Sequence, residues 1–152
     1  MLTQKVILSS MSWYYKGKVL KPEDIPEWAI GFIYCITHTP TKKKYWGKKV
    51  LVFKRRTKIN AKEKKLTGTR KTFKVVTKSS GWEEYWGSCI PLLNDIMEEG
   101  KSKFKKEILM FCHNKKHLSY CELEVQVKND CLRVDSYNGT ILGKWYKKDL
   151  IR

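Results

Sequence analysis

Tyr34 and Tyr45 stand with ten residues between them, followed by Gly47 and, eight residues after that glycine, by Arg55. Farther along come Glu122 and Glu124, and near the end Tyr137-Asn138-Gly139. These residue types match what phosphodiester hydrolysis needs. The reaction takes a base for the attacking water, a cation on the pentavalent phosphate, and a carboxylate-held metal for the charge on the leaving oxygen. Arginine suits the phosphate because its planar fork bonds two oxygens at once and stays charged. Singly, each residue has a blander reading, since a tyrosine in a strand usually packs half-buried against its neighbours. The case for a site rests on order and spacing taken together.

Regular elements must bring such groups together, and the sequence marks several. Residues 31–37 are rich in β-branched and aromatic side chains, stop at His38-Thr39-Pro40-Thr41, and resume at Lys44-Tyr45-Trp46-Gly47, which predicts two strands joined by a turn. Residues 91–100 predict a helix, with Leu92, Leu93, Ile96 and Met97 on one face and Gly100 as a left-handed cap. Residues 104–111 fit a third strand. Residues 116–132 fit a second helix, with Leu118, Cys121, Val125 and Leu132 in one stripe. Before them, residues 1–30 read as an N-terminal arm or hairpin packing on the core, a lid or strap. Residues 31–152 read as the main domain, with a basic insert at about 57–80, either a mobile loop or an element that settles on its ligand. The aromatic tail after Tyr137 is expected to pack back onto the sheet, and Trp82, Tyr85 and Trp86 to pack in the core rather than stack on bases.

With 152 residues, 41% of them apolar, the chain is expected to fold as one ordinary domain, an α/β (mixed α+β) unit with a small antiparallel sheet flanked by helices. A formal charge of +17 costs self-repulsion on folding and points to a polyanionic partner. Half of the positive charge lies between Lys42 and Lys78, where Glu63 is the only acid. Lys48, Lys49, Lys54, Arg56, Lys58, Arg70 and Lys71 are the candidate phosphate contacts, adding salt-dependent affinity without reading sequence. No apolar stretch long enough to span a membrane is present, which argues against a membrane partner.

Five cysteines and the lack of a leader-like start at residues 1–18 suggest a reducing, cytoplasmic setting without disulfides. Cys112, His113, His117 and Cys121 lie close together, and a helix would set His117 and Cys121 on one face. No Cys-x-x-Cys pair accompanies them, so the expectation is buried thiols and surface histidines rather than structural zinc.

The stretch Gly31-Phe32-Ile33-Tyr34-Cys35-Ile36-Thr37-His38, then Lys44-Tyr45-Trp46-Gly47-Lys48, resembles the signature of the GIY-YIG nucleases. Trp82-x-x-Tyr85-Trp86-Gly87-Ser88, Phe104-x-x-Glu107-Ile108-Leu109, a helical glutamate and Tyr137-Asn138-Gly139 extend the likeness across residues 31–138. It is closest in pattern to compact phage-encoded endonucleases related to homing nucleases. Phe32 stands in place of the first glycine of the signature, Trp46 replaces its small aliphatic residue, and His38 stands where asparagine is common. The resemblance implies a metal-dependent DNA endonuclease that hydrolyses duplex or branched DNA with one Mg2+ or Mn2+ ion. By position, Tyr34 would be the general base, Tyr45 would place water and phosphate, and Gly47 would allow close backbone approach. Arg55 would clamp the phosphate, Glu122 would ligate the metal, and Asn138 would support the site. Apolar periodicity leaves Glu122 and Glu124 equally placed and spacing favours Glu122, while Arg56 competes with Arg55. A phage origin would put the protein in the host cytoplasm, and cleavage of both strands would call for a homodimer on DNA or sequential nicking. The rival reading is a basic nucleic-acid-binding protein without catalysis, or a chain that binds another protein. What separates the first rival from a nuclease is whether Arg55 and Glu122 converge on the tyrosines.

Overall fold

The tyrosines lie on a mixed five-stranded sheet. In the computed structural model residues 12–150 are described, so what the sequence suggested for residues 1–11 and 151–152 lies outside them. The strands are β1 (Trp13–Tyr15), β2 (Lys18–Val19), β3 (Gly31–His38), β4 (Lys44–Val50) and β7 (Phe104–Cys112), in the order β2-β1-β7-β3-β4. As expected of two strands joined by a turn and a third strand in a small antiparallel sheet, β3 pairs antiparallel with both β4 and β7. The hairpin β1–β2 does more than pack on the core: β1 joins the sheet edge, parallel to β7.

Two layers of helix and loop cover the sheet. On one face Phe32, Tyr34, Ile36, Phe104, Ile108 and Phe111 form a core with Trp13, Trp86 and the buried Leu92 and Ile96 of α2 (Ile90–Glu99). The apolar face of α2 is narrower than its sequence suggested, because Leu93 is 37% and Met97 81% exposed. Gly100 ends the helix at positive φ, but its ψ of 152° is extended rather than that of a left-handed cap. On the other face Ile33, Cys35, Trp46 and Cys112 pack against Leu118 and Cys121 of α3 (Lys115–Lys128) and against Leu132. Asn114 caps α3, its side chain accepting from the His117 N–H at 2.8 Å. The helix ends four residues before Leu132, where Asn129 donates a side-chain hydrogen bond to the Val125 carbonyl and Asp130 takes a φ of 46°. Leu132 reaches the core through that turn instead.

One residue changes which face β7 presents where. Tyr34 pairs with Ile108, but Ile33 pairs with Met110, so Leu109 is an extra, bulged residue. Phe104, Lys106 and Ile108 face the tyrosine side. Beyond the bulge the alternation inverts, Phe111 stays on that side, and Met110 and Cys112 face α3.

The basic insert is an ordered arm. Strands β5 (Val52–Lys58) and β6 (Phe73–Ser79) form an antiparallel ribbon apart from the main sheet, with the short helix α1 (Ala61–Thr67) at its tip. It starts before the expected boundary near residue 57, because a strand with four cations among its seven residues shows little apolar alternation. A small hairpin, β8 (Thr140–Ile141) and β9 (Trp145–Tyr146), closes the chain. No helix among the described residues is long and apolar enough to cross a membrane.

Candidate active site

Tyr34 and Tyr45 meet because β3 and β4 are paired in the register that sets Tyr34 opposite Gly47 and Ile36 opposite Tyr45. Both phenols then fall on one face of the sheet, with ring centroids 6.1 Å apart. Gly47 leaves room for the first of them: a Cβ built there would lie 2.6 Å from the Tyr34 hydroxyl oxygen. A second glycine, Gly87, comes over from the loop before α2 at a φ of +86°, and its Cβ would lie 3.2 Å from the Tyr45 ring and 3.5 Å from the Tyr34 hydroxyl.

That loop also brings a third phenol. Tyr85 stands edge-on to Tyr34, centroids 6.0 Å apart at 90°, and accepts a hydrogen bond from the Tyr34 hydroxyl. Ser88 donates to Tyr45. From sequence Tyr85 was expected to pack in the core and Ser88 stood only as part of the Trp82–Ser88 motif, so neither was among the candidate site residues. Burial, and then the neighbouring Tyr45 and Tyr85, push the Tyr34 hydroxyl well above the usual phenol range, so it is protonated at neutral pH. Tyr45 is also raised, by burial first, with the Ser88 hydrogen bond opposing the shift, and it is the more exposed of the pair.

Glu122 is turned to this cluster and Glu124 is not. The Glu122 carboxylate acts electrostatically on both Tyr34 and Tyr45, is 17% exposed, and pairs with Lys48 of β4 at 3.2 Å. Lys48 also donates to Ser119 at 3.0 Å, one turn before Glu122 on α3. Glu124 instead pairs along the helix with Lys128 at 3.1 Å. Lys49, on the tyrosine face of β4, holds its ammonium 4.1 Å from the Tyr85 ring centroid, and burial lowers its pKa.

Asn138 makes the edge of β4 rigid at the residue between Tyr45 and Gly47. Its side chain accepts from the Trp46 N–H at 3.0 Å and donates to the Trp46 carbonyl at 2.9 Å, as a neighbouring strand would. Gln126 donates to the same carbonyl at 3.2 Å. The Tyr137 N–H reaches the Lys44 carbonyl at 2.8 Å and its hydroxyl donates to Asp95 at 2.7 Å, so the chain end ties β4 to α2.

Lys106 anchors the loop with Tyr85. It is 1% exposed, lies between the rings of Trp13 and Trp86, and donates to the Glu83 and Tyr85 carbonyls at 3.0 and 3.2 Å. Burial lowers its pKa to about 8.

Arg55 stands apart from all this. It lies in mid-β5, exposed, opposite Val76, and among the described residues no ion pair or hydrogen bond joins it to Glu122 or either tyrosine. Arg56 packs its guanidinium on the Phe73 ring at 4.5 Å. Lys54, Lys58, Arg70 and Lys71 are exposed along the same arm. The structure thus brings together Tyr34, Tyr45 and Gly47, with Lys49 on the same face, sets Asn138 along β4 and Glu122 across β4 at Lys48, within electrostatic reach of both phenols, and holds the arginines on the arm.

The donors suit a hard divalent cation. Glu122 is one partly exposed carboxylate, paired with Lys48, and Mg2+ and Mn2+ are commonly held by one or two carboxylates and water. A family model described as "Putative endonuclease segE, GIY-YIG domain" matches residues 13–150. No curated protein and no solved structure matches the chain.

Proposed function

The chain belongs to the GIY-YIG endonuclease family, and on that premise we propose that it is a DNA endonuclease dependent on Mg2+ or Mn2+, hydrolysing phosphodiester bonds in duplex or branched DNA. The observation that carries this reading is the pairing of Tyr34 and Tyr45 around Gly47 and Gly87, with the Glu122 carboxylate near enough for its charge to raise both phenols. Burial keeps the Tyr34 phenol protonated at rest, so it first releases that proton to solvent and then, as the phenolate, takes the proton of the attacking water at its phenol oxygen. Tyr45, held by Ser88, orients water and phosphate. Glu122 holds the cation, which when bound supplies charge for the leaving oxygen. Arg55 clamps the scissile phosphate once the arm has engaged the duplex. With one site per chain, cleavage of both strands uses two copies or two successive nicks, and the protein works in the cytoplasm, the host's if a phage encodes it.

One observation favours a second reading, a DNA-binding chain that does not cut. Arg55 lies on the arm, unjoined to the tyrosines, and Lys48 already pairs with Glu122. Plasmid cleavage with Mg2+ or Mn2+, beside an EDTA control, separates the two. Nicking that survives Glu124→Gln and is lost in Glu122→Gln and Arg55→Ala supports the nuclease and its residue roles. Binding without cutting on plain, branched and modified DNA supports the second.

A further inference from the structure

Away from the tyrosines, β7 and α3 bring three metal-binding side chains to one point. Cys112 ends β7, and His117 and Cys121 lie one turn apart on α3, with their ligand atoms all within 4.8 Å of one another. Three features of the fold produce this. The Leu109 bulge turns Cys112 to the α3 side, the Asn114 cap fixes the backbone at His117, and helical spacing sets Cys121 on the same face. We propose that Cys112, His117 and Cys121 form a zinc-binding site that fastens the end of β7 to α3.

Both thiols are free, buried, and within hydrogen-bonding reach of each other. His117 Nδ1 is buried and has no hydrogen-bond partner, a cost that ligation would remove. The His113 ring lies against that of His117 at 4.4 Å and holds its orientation. Two thiolates and an imidazole are a soft donor set that selects zinc over the Mg2+ or Mn2+ proposed at Glu122. With Zn–S bonds near 2.3 Å, a tetrahedral site has a sulfur–sulfur edge of about 3.8 Å, so the three groups need to close by no more than about 1 Å. Water completes the tetrahedron. The sequence reading set zinc aside for want of a Cys-x-x-Cys pair; here a bulged strand supplies the ligand that such a pair would have supplied. Because Cys121 immediately precedes Glu122, zinc would also fix the rotation of the helix that aims Glu122. The proposal does not depend on cleavage activity.

The test uses the whole chain, reduced, loaded with Zn2+ and freed of excess metal. Elemental analysis is expected to find a single retained zinc per chain, and Co2+ in its place to give sulfur-to-cobalt charge transfer with the intense visible bands of a tetrahedral site. Cys121→Ser and His117→Ala should weaken zinc binding by more than the roughly 100-fold that outer-shell changes cost, while Cys89→Ser and Glu122→Gln keep it. Because Cys112 is fully buried and its variants risk misfolding, wild-type protein is also melted with Zn2+ and after chelation, with a higher melting temperature expected for the zinc form. Three outcomes overturn the proposal: reduced wild type that retains no zinc and shows no charge-transfer band, Cys121→Ser that binds as well as wild type, or a Cys112–Cys121 disulfide formed under reducing conditions.

Discussion

A Cβ on Gly47 would meet the Tyr34 hydroxyl oxygen at 2.6 Å, far inside van der Waals contact. Tyr34 is 1% exposed, so its ring has little room to retreat, and its hydroxyl is the group that must sit against the water. Gly47→Ala is therefore expected to cost about 1–3 kcal/mol of stability through overpacking. It should lower single-turnover cleavage by about 100-fold, since misplacement of about 1 Å is enough for such a loss. Urea unfolding and cleavage kinetics on the same protein check both figures, and wild-type cleavage by the variant would overturn the link between Gly47 and Tyr34. The same scale explains Glu122. Its neighbour two positions on faces Lys128, while Glu122 faces Lys48 and the phenols, so one helix offers two carboxylates to quite different surroundings.

Among the elements, the single 3-10 turn at Trp82–Glu84 and the Tyr85 that follows it are held by a buried lysine. Lys106 has a folded pKa of about 8 against an ordinary 10.5. Between those values the unfolded chain binds more protons than the folded one, so stability rises with pH there, and below about pH 8 the full cost of burying the charge remains. Lys106→Met removes that dependence together with the Glu83 and Tyr85 carbonyl partners. Wild type is expected to gain stability relative to Lys106→Met between pH 8 and 10, as read from urea unfolding at each pH. Parallel curves for the two proteins would show that Lys106 keeps an ordinary pKa. The variant should also loosen Tyr85, and with it the hydrogen bond from Tyr34.

For the molecule as a whole, charge is segregated. The arm over residues 52–79 carries eleven Lys and Arg against the single acid Glu63, on a ribbon whose side chains are nearly all exposed. A ribbon of that shape and charge suits the phosphate backbone, where each neutralised phosphate contributes about −0.9 to the slope of log affinity against log salt. Lys58→Ala, Arg70→Ala and Lys71→Ala combined are expected to shallow that slope by about 2–3 for plain duplex DNA, measured by fluorescence anisotropy over a salt series. An unchanged slope would place the DNA elsewhere. The same variant should keep its fold, because none of the three side chains packs in the core.

Much of this was legible in the order of residues. The β-branched and aromatic richness of 31–37, the turn before 44–47, the glycine-ended helix after Pro91, and the spacing of Tyr34, Tyr45 and Gly47 each depend on local period and composition, which a sequence displays directly. Family membership followed from the same motifs. What remained hidden depended on contacts across the chain. Period-two alternation would have set Cys112 on the face of Ile108; the bulge at Leu109, where β7 crosses β3, put it beside His117 and Cys121 instead. Apolar periodicity alone set Glu122 and Glu124 equally far to either side of the stripe of Leu118, Cys121 and Val125, and family spacing favoured Glu122; packing set Glu122 against Lys48 and Glu124 against Lys128. Nothing in the local sequence marks Lys106 as buried; Trp13, Trp86 and two carbonyls close around it only in the folded chain. Sequence by itself determined the elements and the kinds of group they carry, because hydrophobic period and residue type are local properties; tertiary structure decided which of those groups meet, because register, bulges and burial are set only when distant segments pack.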